Sequence, residues 1–166
     1  MLHREERNLD NIPVGSLGII PVDGCQEMGD KVNDYLVKWR KESLNHHKED
    51  LLFHEYVKDN YIIDAQVPRF GSGEAKGVIK ESIRGMDLYL MLDVCNYSLT
   101  YSLNGQVNHM SPDDHFQDLK RIIAAVGGKA RRINVIMPFL YESRQHKRSS
   151  RESLDCALAL QEIVAM

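Results

Sequence analysis

INVIMPFLYESRQHKRSSR, residues Ile133–Arg151, runs an apolar stretch straight into a cluster of cationic and amide side chains. Ile133–Leu140 has the length and content of a buried strand. Arg144, Gln145, His146, Lys147 and Arg148 follow it at once. Open α/β sheets bind their ligands beyond the carboxyl ends of the strands, so this junction is a candidate phosphate site. Arginine offers a planar fork to phosphate oxygens, and glutamine offers both a donor and an acceptor. A solvated basic loop has the same composition, and this stretch alone leaves both readings open.

Upstream, Leu17–Val22 (LGIIPV) reads as a strand closed by Asp23-Gly24. Met28, Val32, Tyr35, Leu36 and Trp39 then recur at helical spacing and predict an amphipathic helix over Gln26–Arg40. The polar stretch KESLNHHKEDLL, from Lys41, predicts a loop or a short helical excursion. Further strands are predicted at Tyr61–Val67, Lys76–Glu81 and Asp87–Val94. Tyr97–Leu103 meets Asn104-Gly105, the strongest two-residue hairpin signal, and this hairpin is expected to decorate the sheet edge.

Ser111-Pro112-Asp113-Asp114 is a helix start, Phe116, Leu119, Ile123 and Val126 give its buried stripe, and Gly127-Gly128 stops it. The strand Arg132–Phe139 comes next. Ser149–Glu152 has the pattern of a capping box for a last helix, Leu154–Val164. Strands alternating with helices in this order predict an α/β fold with a mainly parallel sheet covered by helices, plus the hairpin as an addition. The last helix reaches Met166 without a C-cap, as in a chain cut from a longer one. Residues 1–16 are expected to be an extension and 17–166 the domain.

With 166 residues, 43% of them apolar, the chain can bury one substantial core. A net charge of −3 excludes an overall basic nucleic-acid binder. Three cysteines without CxxC spacing point to thiols of a reducing compartment. No apolar run approaches the ~20 residues of a membrane span, and the N-terminus lacks a signal-peptide core, so a cytoplasmic protein is expected. His46-His47 and His54 lack companion ligands at metal spacing, and no metal site is predicted.

Two further segments have the composition of ligand loops. In Pro68-Arg69-Phe70-Gly71-Ser72-Gly73-Glu74 the glycines let a ligand approach the backbone, Phe70 can stack on a base and Glu74 can accept hydrogen bonds. A plain glycine-rich turn reads the same way. Glu81-Ser82-Ile83-Arg84-Gly85-Met86-Asp87 is either a third site or an ordinary turn between strands.

Taken in order, these segments resemble the N-terminal half of ribose-phosphate pyrophosphokinase, also called phosphoribosyl pyrophosphate synthetase. That family carries an F-S-D-G-E loop, then E-S-V-R-G-x-D, then a helix, then a strand leading into R-Q-D-R-K and R-E-P-I. Here they read Phe70–Glu74, Glu81–Asp87, Arg144–Arg148 and Arg151-Glu152-Ser153-Leu154. The resemblance covers about Leu17 to Met166. It implies a phosphoribosyltransferase-like fold and transfer of the diphosphoryl group of ATP, with Mg²⁺, to ribose 5-phosphate. By the same resemblance, Phe70, Ser72, Gly73 and Glu74 form a loop that reaches the ATP site of a neighbouring subunit. Arg144 and Gln145 match the pair that contacts ATP, and Ser82 and Arg84 match residues of a regulatory phosphate or ADP site. A homo-oligomer is implied, with no nucleic-acid or membrane partner.

Three departures stand out. Ser72 replaces the loop's Asp, His146 replaces the Asp after Arg-Gln, and the stretch Lys41–Val67 and the hairpin at Asn104-Gly105 enlarge the family pattern. The family's metal-binding His, its catalytic and pyrophosphate loops, and its acidic D-D-x-x-x-T-G-G-T loop do not occur before Met166. Phosphoryl transfer rests on positioning and charge neutralisation, so no catalytic residue is assigned and the chain alone is expected to be inactive. The alternative reading is a non-catalytic regulatory homologue of the same family.

Overall fold

The computed structural model describes residues 13–46 and 56–166. Most of the expected N-terminal extension, together with His47 and His54, lies outside the described residues.

Strands β1 (Leu17–Pro21), β4 (Asp87–Met91) and β7 (Arg132–Ile136) make a parallel sheet in the order β1-β4-β7. Leu17, Asp87 and Arg132 share one register row, and Pro21, Met91 and Ile136 another. The central strand reads DLYLM, and four of its five residues are buried. A near-continuous apolar strand of this kind suits a parallel sheet covered on both faces. Leu88, Leu90 and Leu92 are fully buried, together with Leu119 and Val126. The strand predicted to reach Phe139 ends at Ile136, because Pro138 has no N–H to continue the ladder.

Helix α1 spans Gln26–His46, six residues past the predicted end at Arg40. Lys41–His46 contains no glycine or proline, and nothing in it breaks a helix. Its buried face also differs from the prediction. Val32 and Leu36 do pack inward, with Val37, against Ile19, Tyr61 and Met91. Tyr35 and Trp39 instead face solvent at 63% and 60% exposure, and Met28 is exposed too. Gly29 and Asn33 decide the rotation. A Cβ at Gly29 would come within 2.8 Å of Pro21, and Asn33 Oδ1 accepts from the Tyr61 amide at 2.8 Å.

The predicted strand Tyr61–Val67 is divided between two sheets. Ile19 and Ile62 form a single parallel bridge beside β1. Only β2 (Ala65–Gln66) pairs onward, antiparallel with β3 (Val78–Ile79). Asp64 marks the change of partner, since its amide donates to Glu81 Oε1 and its carboxylate pairs with Lys80.

The hairpin forms as predicted: β5 (Thr100–Leu103) pairs with β6 (Gln106–His109), and Asn104 (φ 51°) and Gly105 (φ 78°) take the left-handed pair that a two-residue turn requires. It does not lie on the edge of the parallel sheet. It is a separate two-stranded sheet, because it leaves from the exit of the central strand β4.

Helix α2 (Pro112–Val126) starts with a full capping box between Ser111 and Asp114, and Gly127 in the left-handed conformation stops it. The last helix, α3 (Asp155–Ala165), starts with Leu154 as N-cap and no side-chain cap. Ser149 and Glu152 do bond each other, at 3.1 Å, but they close a turn before the helix instead of capping it. Cys25 and Cys156 are buried thiols and Cys95 is exposed. Among the described residues no helix is long and apolar enough to cross a membrane.

Candidate functional site

Helix α2 returns from the carboxyl end of β4, so its first turns stand at that end of the sheet. Both candidate ligand segments attach there. The first is closed by the antiparallel bridge between Arg69 and Ala75. Within it the Phe70 amide donates to Glu74 O at 2.7 Å, and the Gly73 amide to Phe70 O at 2.9 Å. Gly73 has φ 90°, a conformation that side chains other than hydrogen rarely adopt, and it allows this tight turn. Phe70 stands half exposed, with Lys76 Nζ 5.9 Å from its ring centre. Ser72 Oγ donates to Glu74 Oε2 at 2.9 Å, so the serine found in place of an aspartate satisfies its neighbour's carboxylate.

Arg69 anchors this loop. Its Nη2 donates to Asp118 Oδ2 at 3.0 Å, Nη1 reaches Gly73 O at 3.3 Å, and Asp114 lies 3.9 Å away. Asp118 is almost completely buried and also accepts from Arg121. Burial pushes the Asp118 carboxyl up, against the opposing pull of the two guanidinium groups.

The second segment leaves β7 and returns onto the same helix. The Tyr141 ring stacks on Phe116 at 4.2 Å, and its hydroxyl donates to Asp113 Oδ1 at 2.7 Å. Burial, reinforced by Asp113, pushes the Tyr141 phenol well above its ordinary range. Glu142 in the left-handed region then turns the chain into the short 3-10 turn Ser143–Gln145. Gln145 Nε2 donates to Ser153 O at 2.7 Å, which ties the turn to the start of α3. Arg144, His146, Lys147 and Arg148 are exposed. No hydrogen bond or ion pair joins Phe70–Glu74 to Arg144–Gln145 among the described residues. The two segments are brought to one end of the sheet and one helix, as open surfaces. An open surface depression lies elsewhere, between α2 and α3 beside Gln117, Lys120 and Glu162.

Ser82 and Arg84 are not part of this group. They are exposed in the turn that enters β4, at the amino end of the sheet. The Gly85 amide donates to Lys129 O, and the Arg131 amide to Met86 O, which sets Arg84 beside the basic segment Lys129–Arg132. Arg132 forks onto Asp87 at 2.8 and 2.6 Å and holds that carboxyl below its usual range.

Sequence reasoning missed the supporting role of Arg69, Asp114, Asp118 and Tyr141. The i, i+4 spacing of Asp114 and Asp118 on a capped helix was the readable signal. It also missed His115, which is buried and bonds Asn96 O through Nε2 at 2.8 Å, leaving Nδ1 without a partner among the described residues. The described residues hold no cluster of three or more His, Cys, Asp or Glu suited to a metal ion.

The fold and site define a parallel-sheet α/β domain that carries an aromatic glycine loop and an Arg-Gln turn on one helix. Residues 17–166 match the family model for the N-terminal domain of ribose phosphate pyrophosphokinase, and the chain belongs to that family. Ribose-phosphate pyrophosphokinase B of Dictyostelium discoideum is 30% identical over 97 residues, covering 57% of this chain and 26% of its own length. The crystal structure of phosphoribosylpyrophosphate synthetase from Mycobacterium smegmatis superposes with a TM-score of 0.54 at 20% identity, over 90% of this chain and 39% of that one. That second likeness is one of fold. The chain thus spans less than half the length of either relative.

Proposed function

We propose that this chain is the ATP-binding and subunit-assembling N-terminal domain of a cytoplasmic ribose-phosphate diphosphokinase. The parent enzyme transfers the diphosphoryl group of ATP to ribose 5-phosphate, giving 5-phosphoribosyl 1-diphosphate and AMP. The observation that carries this reading is the family match over 17–166, which takes in both segments mounted on α2. In this reading Phe70 packs against the adenine, and Ser72, Gly73 and Glu74 offer hydrogen bonds to it. Arg144 supplies the phosphate fork from an exposed position, while Gln145, already bound to Ser153 O, holds the turn that presents it. The two segments are separate surfaces within one chain, which supports a pocket completed between subunits of a homo-oligomer. Ser82 and Arg84, at the opposite end of the sheet, fit an effector phosphate distinct from substrate ATP.

Magnesium in this reading enters with the nucleotide, held mainly by its phosphates and by water, as Mg²⁺ in nucleotide sites usually is. The chain alone is inactive in this reading. The test is calorimetric titration with MgATP, ADP and GTP of the wild type and Arg144→Ala, with AMP release assayed in the presence of ribose 5-phosphate. ATP binding weakened about tenfold by Arg144→Ala supports the assignment, as a lost charged hydrogen bond predicts. Equal ATP affinity in the two proteins refutes it. AMP release that depends on ribose 5-phosphate refutes the inactivity of the chain.

A further inference from the structure

The hairpin β5–β6 carries none of the family motifs read from the sequence, yet it touches the candidate nucleotide loop at two points. The Arg69 guanidinium lies over the Tyr101 ring, 4.5 Å from its centre. A Cβ at Gly73 would sit 3.6 and 3.8 Å from the two Leu103 methyls, so the hairpin tip leans on the turn of the loop. Arg69 is where these contacts meet. The same guanidinium donates to Gly73 O, pairs with buried Asp118 and covers Tyr101. A desolvated arginine over an aromatic face is held more strongly than an exposed one.

The feet of the hairpin are fixed as well. Tyr97 and His109 stack at 4.4 Å, and His109 Nδ1 bonds Tyr97 O at 2.8 Å. The Met110 amide donates to Leu99 O, and one residue later Ser111 caps α2. On the other side, Asn96 O receives the buried His115 of α2. The hairpin is a strut mounted on α2, the same helix that binds Arg69.

We infer that β5–β6 is a positioning element, in which Tyr101 and Leu103 hold the 70–74 loop, through Arg69, in the conformation that presents Phe70. The nucleotide half of this inference rests on the ATP reading given above. Loops without such a brace sample many conformations, and a ligand then bears the cost of ordering them.

Amide hydrogen exchange and MgATP titration of Tyr101→Ala, Tyr101→Phe and Leu103→Ala test it. The Phe70 and Gly73 amides of Tyr101→Ala are expected to exchange about tenfold faster, with Leu88 and Leu90 of β4 unchanged. Tyr101→Phe keeps the ring and should stay within about twofold of wild type, and Leu103→Ala should loosen Gly73. ATP affinity should fall about tenfold in Tyr101→Ala alone among the two Tyr101 variants. Unchanged loop exchange, or equal acceleration in β4, overturns the brace. A loosened loop with wild-type ATP affinity overturns its role in binding. If the wild type itself binds no ATP, the assignment of function falls, and the exchange rates still decide whether the hairpin holds the loop.

Discussion

Substituting Asp118 by alanine removes the carboxylate on which Arg69 is anchored, and the geometry sets the size of the effect. Asp118 is 2% exposed, while the Arg69 side chain is 12% exposed with Asp114 as its next carboxylate, 3.9 Å away. Breaking a buried pair by removing one partner costs about 3–5 kcal/mol. Two features reduce that figure here. Burial already disfavours the ionised Asp118, and Asp114 remains to receive the guanidinium. A loss of about 2–3 kcal/mol follows. With an m value of about 2 kcal/mol/M, the urea midpoint should drop by about 1–1.5 M at constant m. Arg69→Ala should cost less, because Asp118 keeps Arg121. The double variant should recover part of the loss, giving a coupling energy of about 1 kcal/mol or more.

The pH dependence of the same site has a definite sign. The folded Asp118 carboxyl is raised above its unfolded value, so the fold takes up a proton there before the unfolded chain does. Its contribution is fully present below the unfolded carboxylate range and is lost as pH rises through the folded pKa. Wild type should therefore gain on Asp118→Asn as pH falls from 7 toward 4. Additive effects in the cycle would sink the account of Asp118 as a paired carboxylate, and a wild type that loses ground to Asp118→Asn on acidification would sink burial as the stronger influence on it.

Asp87 should behave in the opposite sense. Arg132 holds its carboxyl down, so that contribution is present above the unfolded carboxylate range and disappears on acidification, and the gap between wild type and Asp87→Asn should close toward pH 3 in the same urea series. Gly77→Ala would place a Cβ 2.3 Å from the Arg121 carbonyl, a backbone clash that should cost about 2 kcal/mol or more in thermal unfolding. Ser111→Ala removes the hydroxyl half of the α2 capping box and should cost about 1 kcal/mol by the same measurement. Val37→Ala should destabilise the protein more than Trp39→Ala, which changes an exposed side chain; the reverse order would contradict the buried face of α1.

Elements whose signals were local and redundant were legible in the sequence. The Asn104-Gly105 hairpin and α2, with Ser111 before it and Gly127 after it, each carry start, stop and periodicity in adjacent residues. The central strand was legible because LYLML, Leu88–Leu92, carries apolar or aromatic side chains on both faces. Where partners lie far away in sequence, the pattern was ambiguous. On α1, the rows through Tyr35 and Trp39 and through Asn33 and Val37 share Val32 and Leu36. Only Pro21 against Gly29, and Tyr61 on Asn33, choose between them. Tyr61–Val67 looked like one strand because its apolar content says nothing of which sheet receives it. The Ser149–Glu152 pattern formed its bonds, but α3 starts later, at Asp155.

The candidate segments were legible as residue types, and the contacts that hold them were not. Phe70, Glu74, Arg144 and Gln145 were readable from short motifs, but what holds them was not. Arg69 finds Asp118 across 49 positions, and Tyr141 finds Asp113 across 28. These contacts place both loops on the first turns of one helix, at Asp114 and Asp118 for one and Asp113 and Phe116 for the other. A perturbation at the N-terminus of α2 therefore reaches both segments, even though neither bonds the other. If Ser111→Ala frays that turn, exchange should quicken at the Gly73 amide and at the Gln145 amide, which donates to Glu142 O. Acceleration at only one of the two would mean that the loops are mounted independently and that α2 is not their common support.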